Sequence, residues 1–322
     1  MRARTDGSST ALELTYKARE VEGVLDLLFY RKAGFWLARR FARLNMTPTT
    51  VSLVGGVCGI LGGHLYYYHE LGLNIYGMAL QVCANTLDNA DGQLARLTHQ
   101  ESLKGRIFDC IIDYLVFISI YLHIALRYLS EGASPAIWLV VVAAAVSHAL
   151  QSAAADYSRN AYLYFVKGGQ FDHSQKLLLD HRELHWLAQP LEKFLHWLYL
   201  KMTREQELLA PALHQLQEQA LRQFANAMPE WWQARYRTYF QPVLKWWRLL
   251  MTNTRMLVLF ISLFAGQPVW YCWFEILPLN LLLACLLLQQ QTTSNSLLAA
   301  AKTAPSIVSQ GSRLLLNTRY RL

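Results

Sequence analysis

Long apolar runs separated by short polar turns dominate this chain. The first runs from about Thr50 to Tyr68 and is opened by Thr47-Pro48, an N-cap followed by proline at the first helical position. A second begins near Leu73, a third covers Ile107 to about Leu126, and a fourth covers about Ala136 to Ala155. Segments of about 20 residues match the ~30 Å hydrocarbon core of a bilayer. Residues 257–288 are again apolar but broken at Gly266-Gln267-Pro268, which predicts a hairpin of two further spans, the first of them short. The pattern predicts an all-α integral membrane protein with six transmembrane helices and both termini on one side.

Other stretches alternate instead of staying apolar. In residues 10–44, Leu25, Leu27, Leu28, Phe29, Phe35, Trp36, Leu37 and Phe41 interleave with Arg31, Lys32, Arg39, Arg40 and Arg43. That suits an amphipathic helix lying at the membrane surface beside anionic lipid. From about Gly168 to Asn253 no span is visible, and Pro190, Pro211, Pro229 and Pro242 divide the stretch into short helical pieces. It carries Trp186, Trp197, Trp231, Trp232, Trp246 and Trp247, as expected of a cytosolic subdomain resting on the bilayer interface. The expected division is an interfacial helix over 1–46, spans one to four over 47–167, a helical cytosolic insertion over 168–254 and spans five and six over 255–290. A cytosolic tail over 291–322, rich in Ser, Thr, Ala and Asn, is expected to be loosely ordered.

Composition agrees with this division. Of 322 residues, 53% are hydrophobic and only 16% charged, low for a soluble protein of this length. The polar N-terminus lacks the apolar core of a signal peptide, so insertion is expected to rely on the spans themselves. The net charge is +8, and the N-terminal helix, the Leu97–Arg106 turn and the region after Asp156 are rich in Lys and Arg. The opposite loops, near His69-Glu70 and Ser130-Glu131-Gly132, hold little charge beyond Arg127. The positive-inside rule then turns the Asp88–Asp113 region toward the cytoplasm. Membrane lipid, and not nucleic acid, is the expected partner of the basic residues. The five cysteines lie in apolar stretches without metal or disulfide spacing and read as small hydrophobes. The glycines at 55, 59 and 63, with Gly56 and Gly62, suit close helix packing within one subunit.

Candidate chemistry gathers between Asp88 and Asp113. Asp88 and Asp91 are three residues apart, and Asp109 and Asp113 four apart, next to or inside runs that read as membrane helix. Ionisable groups there are expensive and usually functional. Two helices joined by the polar turn Leu97–Lys104 would point the four carboxylates at each other. Hard oxygen ligands of this kind suit Mg²⁺ or Mn²⁺, as one ion or a two-metal clamp. Gly92, Ala95 and Gly105 leave room for a phosphate-bearing ligand near the backbone, and Arg96 offers a fork of donors for its oxygens.

These residues spell D-x2-D-G-x2-A-R-x8-G-x3-D-x3-D, and the chain resembles the CDP-alcohol phosphotransferase family, whose signature this is. The resemblance implies a transferase of phospholipid synthesis that splits a CDP-alcohol by direct displacement and releases CMP. It implies that Asp88, Asp91, Asp109 and Asp113 hold two divalent ions, with Asp113 also the general base toward the acceptor hydroxyl. Gly92, Ala95, Arg96 and Gly105 would hold the cytidine nucleotide, and the enzyme would be a homodimer. Six spans favour a CDP-lipid donor such as CDP-diacylglycerol and a polar acceptor such as inositol, inositol phosphate or glycerol phosphate. The motif also fits transfer from CDP-choline or CDP-ethanolamine to a lipid alcohol. A divalent cation transporter is the reading of another class, and it leaves Gly92, Ala95 and Arg96 without a task. Thr49 stands where many family members have Asn after the proline.

A second polar stripe, His148, Ser152, Asp156 and Arg159, follows three- and four-residue steps. Arg159 and Asp156 are candidates for binding a phosphate on acceptor or donor. The other reading is an ion pair at the membrane surface, with His148 a hydrogen-bonded packing residue.

Overall fold

The computed structural model describes residues 20–167, 190–224 and 228–303, and no strand occurs among them. A π-helical turn at Asp26–Tyr30 runs into α1 (Arg31–Arg43). There follow α2 (Pro48–Leu65), α3 (Leu71–Leu97), α4 (Leu103–Ser130) and α5 (Ile137–Lys167). Next come α6 (Pro190–Leu209), α7 (Pro211–Phe224) and α8 (Glu230–Trp247), then α9 (Thr252–Phe264), α10 (Val269–Ile276) and α11 (Pro278–Thr303). The chain divides into two compact units: residues up to Leu150 with Arg248–Asn280, and Gln151–Trp247 with the residues from Leu281 on.

Four helical stretches are long and apolar enough to cross a membrane: Pro48–Leu65, Lys104–Ser130, Ile137–Lys167 and Val269–Ala299. The two other expected spans do not reach that standard, for separate reasons. α3 has 27 residues, but its second half carries the polar motif. α9 has 13 residues, about 20 Å of helix, short of the ~30 Å core. The break expected at Gly266-Gln267-Pro268 is present, with Gly266 at φ +69°, a left-handed conformation that glycine adopts without penalty.

In the first unit α2 is the central element. Thr47 caps it by accepting from the Thr50 amide at 3.2 Å, with Pro48 in the first turn. Its glycines form two contact lines within the same chain. A Cβ at Gly62 would sit 2.8 Å from the Gly77 carbonyl oxygen of α3, and one at Gly63 would sit 2.9 Å from the Ile120 amide nitrogen of α4. Gly56 and Gly59 receive Ile112 and Val116 of α4 in the same way. Arg127, buried on α4, donates to the Tyr68 carbonyl at 3.1 Å and the Tyr66 carbonyl at 3.5 Å, groups left over where α2 ends.

α1 packs against α3, with Gly34 facing Asn89 and Ala90, and Ala38 joins a buried cluster with Val51, Leu87, Ala90 and Leu94. Its other face exposes Trp36, Arg39, Arg40 and Arg43. Two residues depart from the expected surface pattern. Phe35 is buried, and Arg31 turns inward to pair with the buried Glu22 at 2.7 Å. Residues 10–19 of the expected surface helix lie outside the described residues.

In the second unit Tyr157 donates to Gln217 at 2.7 Å, while Tyr236 stacks on Phe240 and packs on Phe165. Of the insertion's tryptophans, Trp232 and Trp247 are buried in cores, whereas Trp197, Trp231 and Trp246 are exposed. Trp186 lies outside the described residues. Residues 291–303 of the tail differ from expectation, since α11 continues to Thr303; residues 304–322 lie outside the described residues. Leu283, Leu286, Gln290, Ser294 and Leu297 are all buried and recur at helical spacing, a face masked by the Ser, Thr and Asn around it.

The glycine contacts predict that Gly62→Ala lowers the melting temperature of the detergent-solubilised protein. Alanine gains ~1 kcal/mol of helix propensity, but the opposing atom is a backbone carbonyl that cannot rotate away. Gly72, with nothing within 4 Å of its added Cβ, is the control, and Gly72→Ala is expected to leave stability unchanged or raise it.

Candidate metal centre and active site

The two halves of the Asp88–Asp113 motif sit on α3 and α4, and local backbone chemistry sets the turn between them. α3 ends with His99 at φ +54°. The Gln100 amide reaches back to the Ala95 carbonyl at 2.9 Å and the His99 amide to the Arg96 carbonyl at 3.4 Å. This is the paired hydrogen-bond pattern of a left-handed helix stop, here without glycine. Ser102 then caps α4 by accepting from the Gly105 amide at 3.0 Å. Five residues, 98–102, thus separate the helices.

This hairpin brings together Asp88 and Asp91 of α3 with Asp109 of α4. Each offers a carboxylate oxygen, and the three atoms lie within 4.8 Å of one another. Asp91 is 5% exposed, and Asp109 is half-buried. Like charges at that spacing, partly out of water, raise one another's cost of ionisation. A divalent cation offsets this, and carboxylate oxygens are the donors that Mg²⁺ and Mn²⁺ prefer. The residues present therefore fit such an ion. Asp113 is exposed one turn beyond Asp109 and is not one of the three clustered carboxylates.

Around the cluster, a Cβ at Gly92 would meet only the Arg96 guanidinium, at 3.5 and 4.0 Å. The backbone there borders a space that a side chain would fill. Arg96 is half-buried on the same stretch of α3, one turn from Gly92 and beside Ala95. Its Nε is buried with no hydrogen-bond partner among the described residues. Gly105 has a different neighbour: its added Cβ would sit 3.0 Å from the capping hydroxyl of Ser102.

Arg159 and Asp156 belong to the second unit, where they pair at 2.9 Å. This is the ion-pair arrangement among the two readings of that stripe. His148 is buried in the first unit and shares a hydrogen bond with the Tyr121 hydroxyl at 3.0 Å.

Sequence reasoning missed Ser52. Its hydroxyl has one proton and two acceptors in reach, the Asp91 carboxylate and the Pro48 carbonyl at 3.1 Å. Ser52 lies 39 positions before Asp91, and only the packing of α2 on α3 reveals the contact. The available signal was a serine one turn after Pro48, at the start of an apolar run.

Helices apolar enough to cross a bilayer thus carry three clustered carboxylates, a candidate cation site, beside the open backbone at Gly92. Residues 45–166, which contain the whole cluster, match the family model described as CDP-alcohol phosphatidyltransferase. The match spans little more than a third of the chain and supports a transferase of that kind in this segment. A search of curated proteins finds no match to the chain.

Charge repulsion in the cluster yields a two-part expectation for Asp91→Asn. Without metal the variant melts a few degrees above the native protein, because one of three crowded charges is gone. Saturating Mn²⁺, which adds about 2.7 kcal/mol at a hundredfold excess over its dissociation constant, stabilises the native protein and not the variant. Ser52→Ala keeps the response but weakens Mn²⁺ affinity about tenfold. Thermal melts over a Mn²⁺ titration read all three.

Proposed function

We propose that the protein transfers a phosphatidyl-type group from a CDP-lipid, most simply CDP-diacylglycerol, to a polar alcohol such as inositol, inositol phosphate or glycerol phosphate, releasing CMP. The observation that carries this reading is the convergence of Asp88, Asp91 and Asp109 beside the open backbone at Gly92 and the guanidinium of Arg96. A cation carrier would use the carboxylates but leave Gly92, Ala95 and Arg96 without a task.

In this reading Asp88, Asp91, Asp109 and Asp113 hold Mg²⁺ or Mn²⁺, which when bound neutralises charge on the diphosphate. Gly92, Ala95 and Gly105 keep the backbone open to the nucleotide, and Arg96 donates to its phosphate oxygens. Asp113 takes the proton from the acceptor hydroxyl. The acceptor oxygen bonds to the lipid-bearing phosphorus as the bond from that phosphorus to the oxygen bridging to CMP breaks, and the electron pair leaves with CMP. No covalent enzyme intermediate forms. The exposure of Asp113 suits a group that meets an incoming polar acceptor. Ser52 holds the Asp91 carboxylate in orientation.

The site faces the cytoplasm, consistent with the Lys and Arg around the motif turn. α3 and α9 supply the remaining crossings of a six-span bundle. α1 lies along the inner surface with Trp36, Arg39 and Arg40 toward lipid, and the enzyme acts as a homodimer.

Purified protein given CDP-diacylglycerol and Mg²⁺ or Mn²⁺ is expected to release CMP only when a suitable alcohol is added, and EDTA stops it. Asp113→Asn is expected to cut turnover by at least ~10²-fold, the low end of what a general base contributes, while nucleotide binding stays near native. Absence of CMP release across a panel of CDP-alcohols and acceptors overturns the reading. Near-native turnover of Asp113→Asn removes its role as base.

A further inference from the structure

Arg96 has several charged groups within electrostatic reach: Arg31, Glu101, Glu22 and Asp91. Each carboxylate among them is a potential partner that would neutralise it. Glu101 is exposed, at the solvated turn, and the Asp91 carboxylate is engaged by Ser52. Glu22 is different, being only 7% exposed, and a buried carboxylate in the field of a guanidinium competes with an anionic ligand for it.

Glu22 is already occupied. Arg31 grips it through both oxygens, Nη2 to Oε1 at 2.7 Å and Nε to Oε2 at 3.3 Å. The backbone carbonyl of Glu22 is also held, accepting from Arg248 at 2.9 Å. Arg31 is in turn tied to the motif helix: its carbonyl accepts from Gln93 at 3.1 Å. Gln93 is fully buried and lies three positions before Arg96. The segment thus brings a neutralised pair, not a free carboxylate, to the helix that carries Arg96.

We propose that Arg31 is a positioning residue of the nucleotide site: by sequestering Glu22 it leaves the Arg96 guanidinium available to a phosphate. Arg31 does not touch the ligand; its effect passes through Glu22. The inference rests on the reading of Arg96 as a phosphate-binding group.

The test measures the affinity of the detergent-purified protein for cytidine 5′-diphosphate with Mg²⁺ by titration calorimetry, which needs no acceptor. In Arg31→Met the freed Glu22 turns to Arg96, and binding weakens about tenfold, the scale of one charge-assisted hydrogen bond. In Glu22→Gln/Arg31→Met the competitor is gone, and affinity returns to within about twofold of native. A merely structural role for the pair predicts the opposite, with the double variant as weak as the single one or weaker. That result, or unchanged binding in Arg31→Met, overturns the proposal. Should Arg31→Met fail to fold, Glu22→Gln alone decides: unchanged or tighter binding supports the proposal and a tenfold loss sinks it. Arg96→Gln run in parallel separates the two layers. If it binds like the native protein, the reading of Arg96 falls; if it weakens binding but the double variant is not restored, only the role of Arg31 falls.

Discussion

Backbone-to-backbone approach along α2 is the constraint on which the first unit rests. In lipid there is no hydrophobic gain from pressing two apolar helices together, so association depends on close dispersion contact and small residues at the interface. α2 meets α3 at Gly62 and Gly77 and meets α4 at Gly56, Gly59 and Gly63, leaving no space for a methyl group at the tightest points. Holding both neighbours against one central helix fixes where their motif-bearing ends emerge. The carboxylates of Asp88, Asp91 and Asp109, and the hydroxyl of Ser52 on α2 itself, meet there as a result.

Polar groups elsewhere in the apolar helices obey a different rule. Arg255 and Glu275, both almost wholly buried, pair at 2.5 Å, and Arg255 spends its other donors on the Leu250 carbonyl. Tyr121, Tyr271 and His148 form a hydrogen-bonded string beside them. Gln81 gives its amide to the Gly59 carbonyl at 2.8 Å. Each of these arrangements balances charge or satisfies donors internally, as membrane-buried polar groups must. Asp88, Asp91 and Asp109 instead place three groups of one sign together. That contrast separates the candidate site from the structural polar contacts without appeal to sequence pattern.

Much of this was legible along the chain, and the reasons for the misses are physical. The Thr47-Pro48 cap, the glycine spacing and the paired aspartates are short-range patterns whose consequences stay within one or two helices, so they read directly. Arg31 did not, because its place among Lys32, Arg39 and Arg40 looks like one more solvated cation; only the distant Glu22 and Gln93 make it a core residue. Ser52 was hidden by separation along the chain. The helical tail to Thr303 was hidden by composition: a polar-rich stretch was taken for a loose one, although Gln290 and Ser294 continue a buried face begun by leucines. Span counting was limited by α3, whose apolar and polar halves cannot be reconciled with a single hydropathy threshold.

The short stop-and-cap turn at residues 98–102 bears on the order in which the molecule is made. Ser52, Asp88, Asp91 and Asp109 all come from residues 52–109, on three successive helices joined by brief turns. Contacts this close in sequence form quickly, with little loop entropy to overcome. A nascent chain emerging from the ribosome therefore holds every group of the cluster once α4 has entered the bilayer, while α6 to α11 are still unmade.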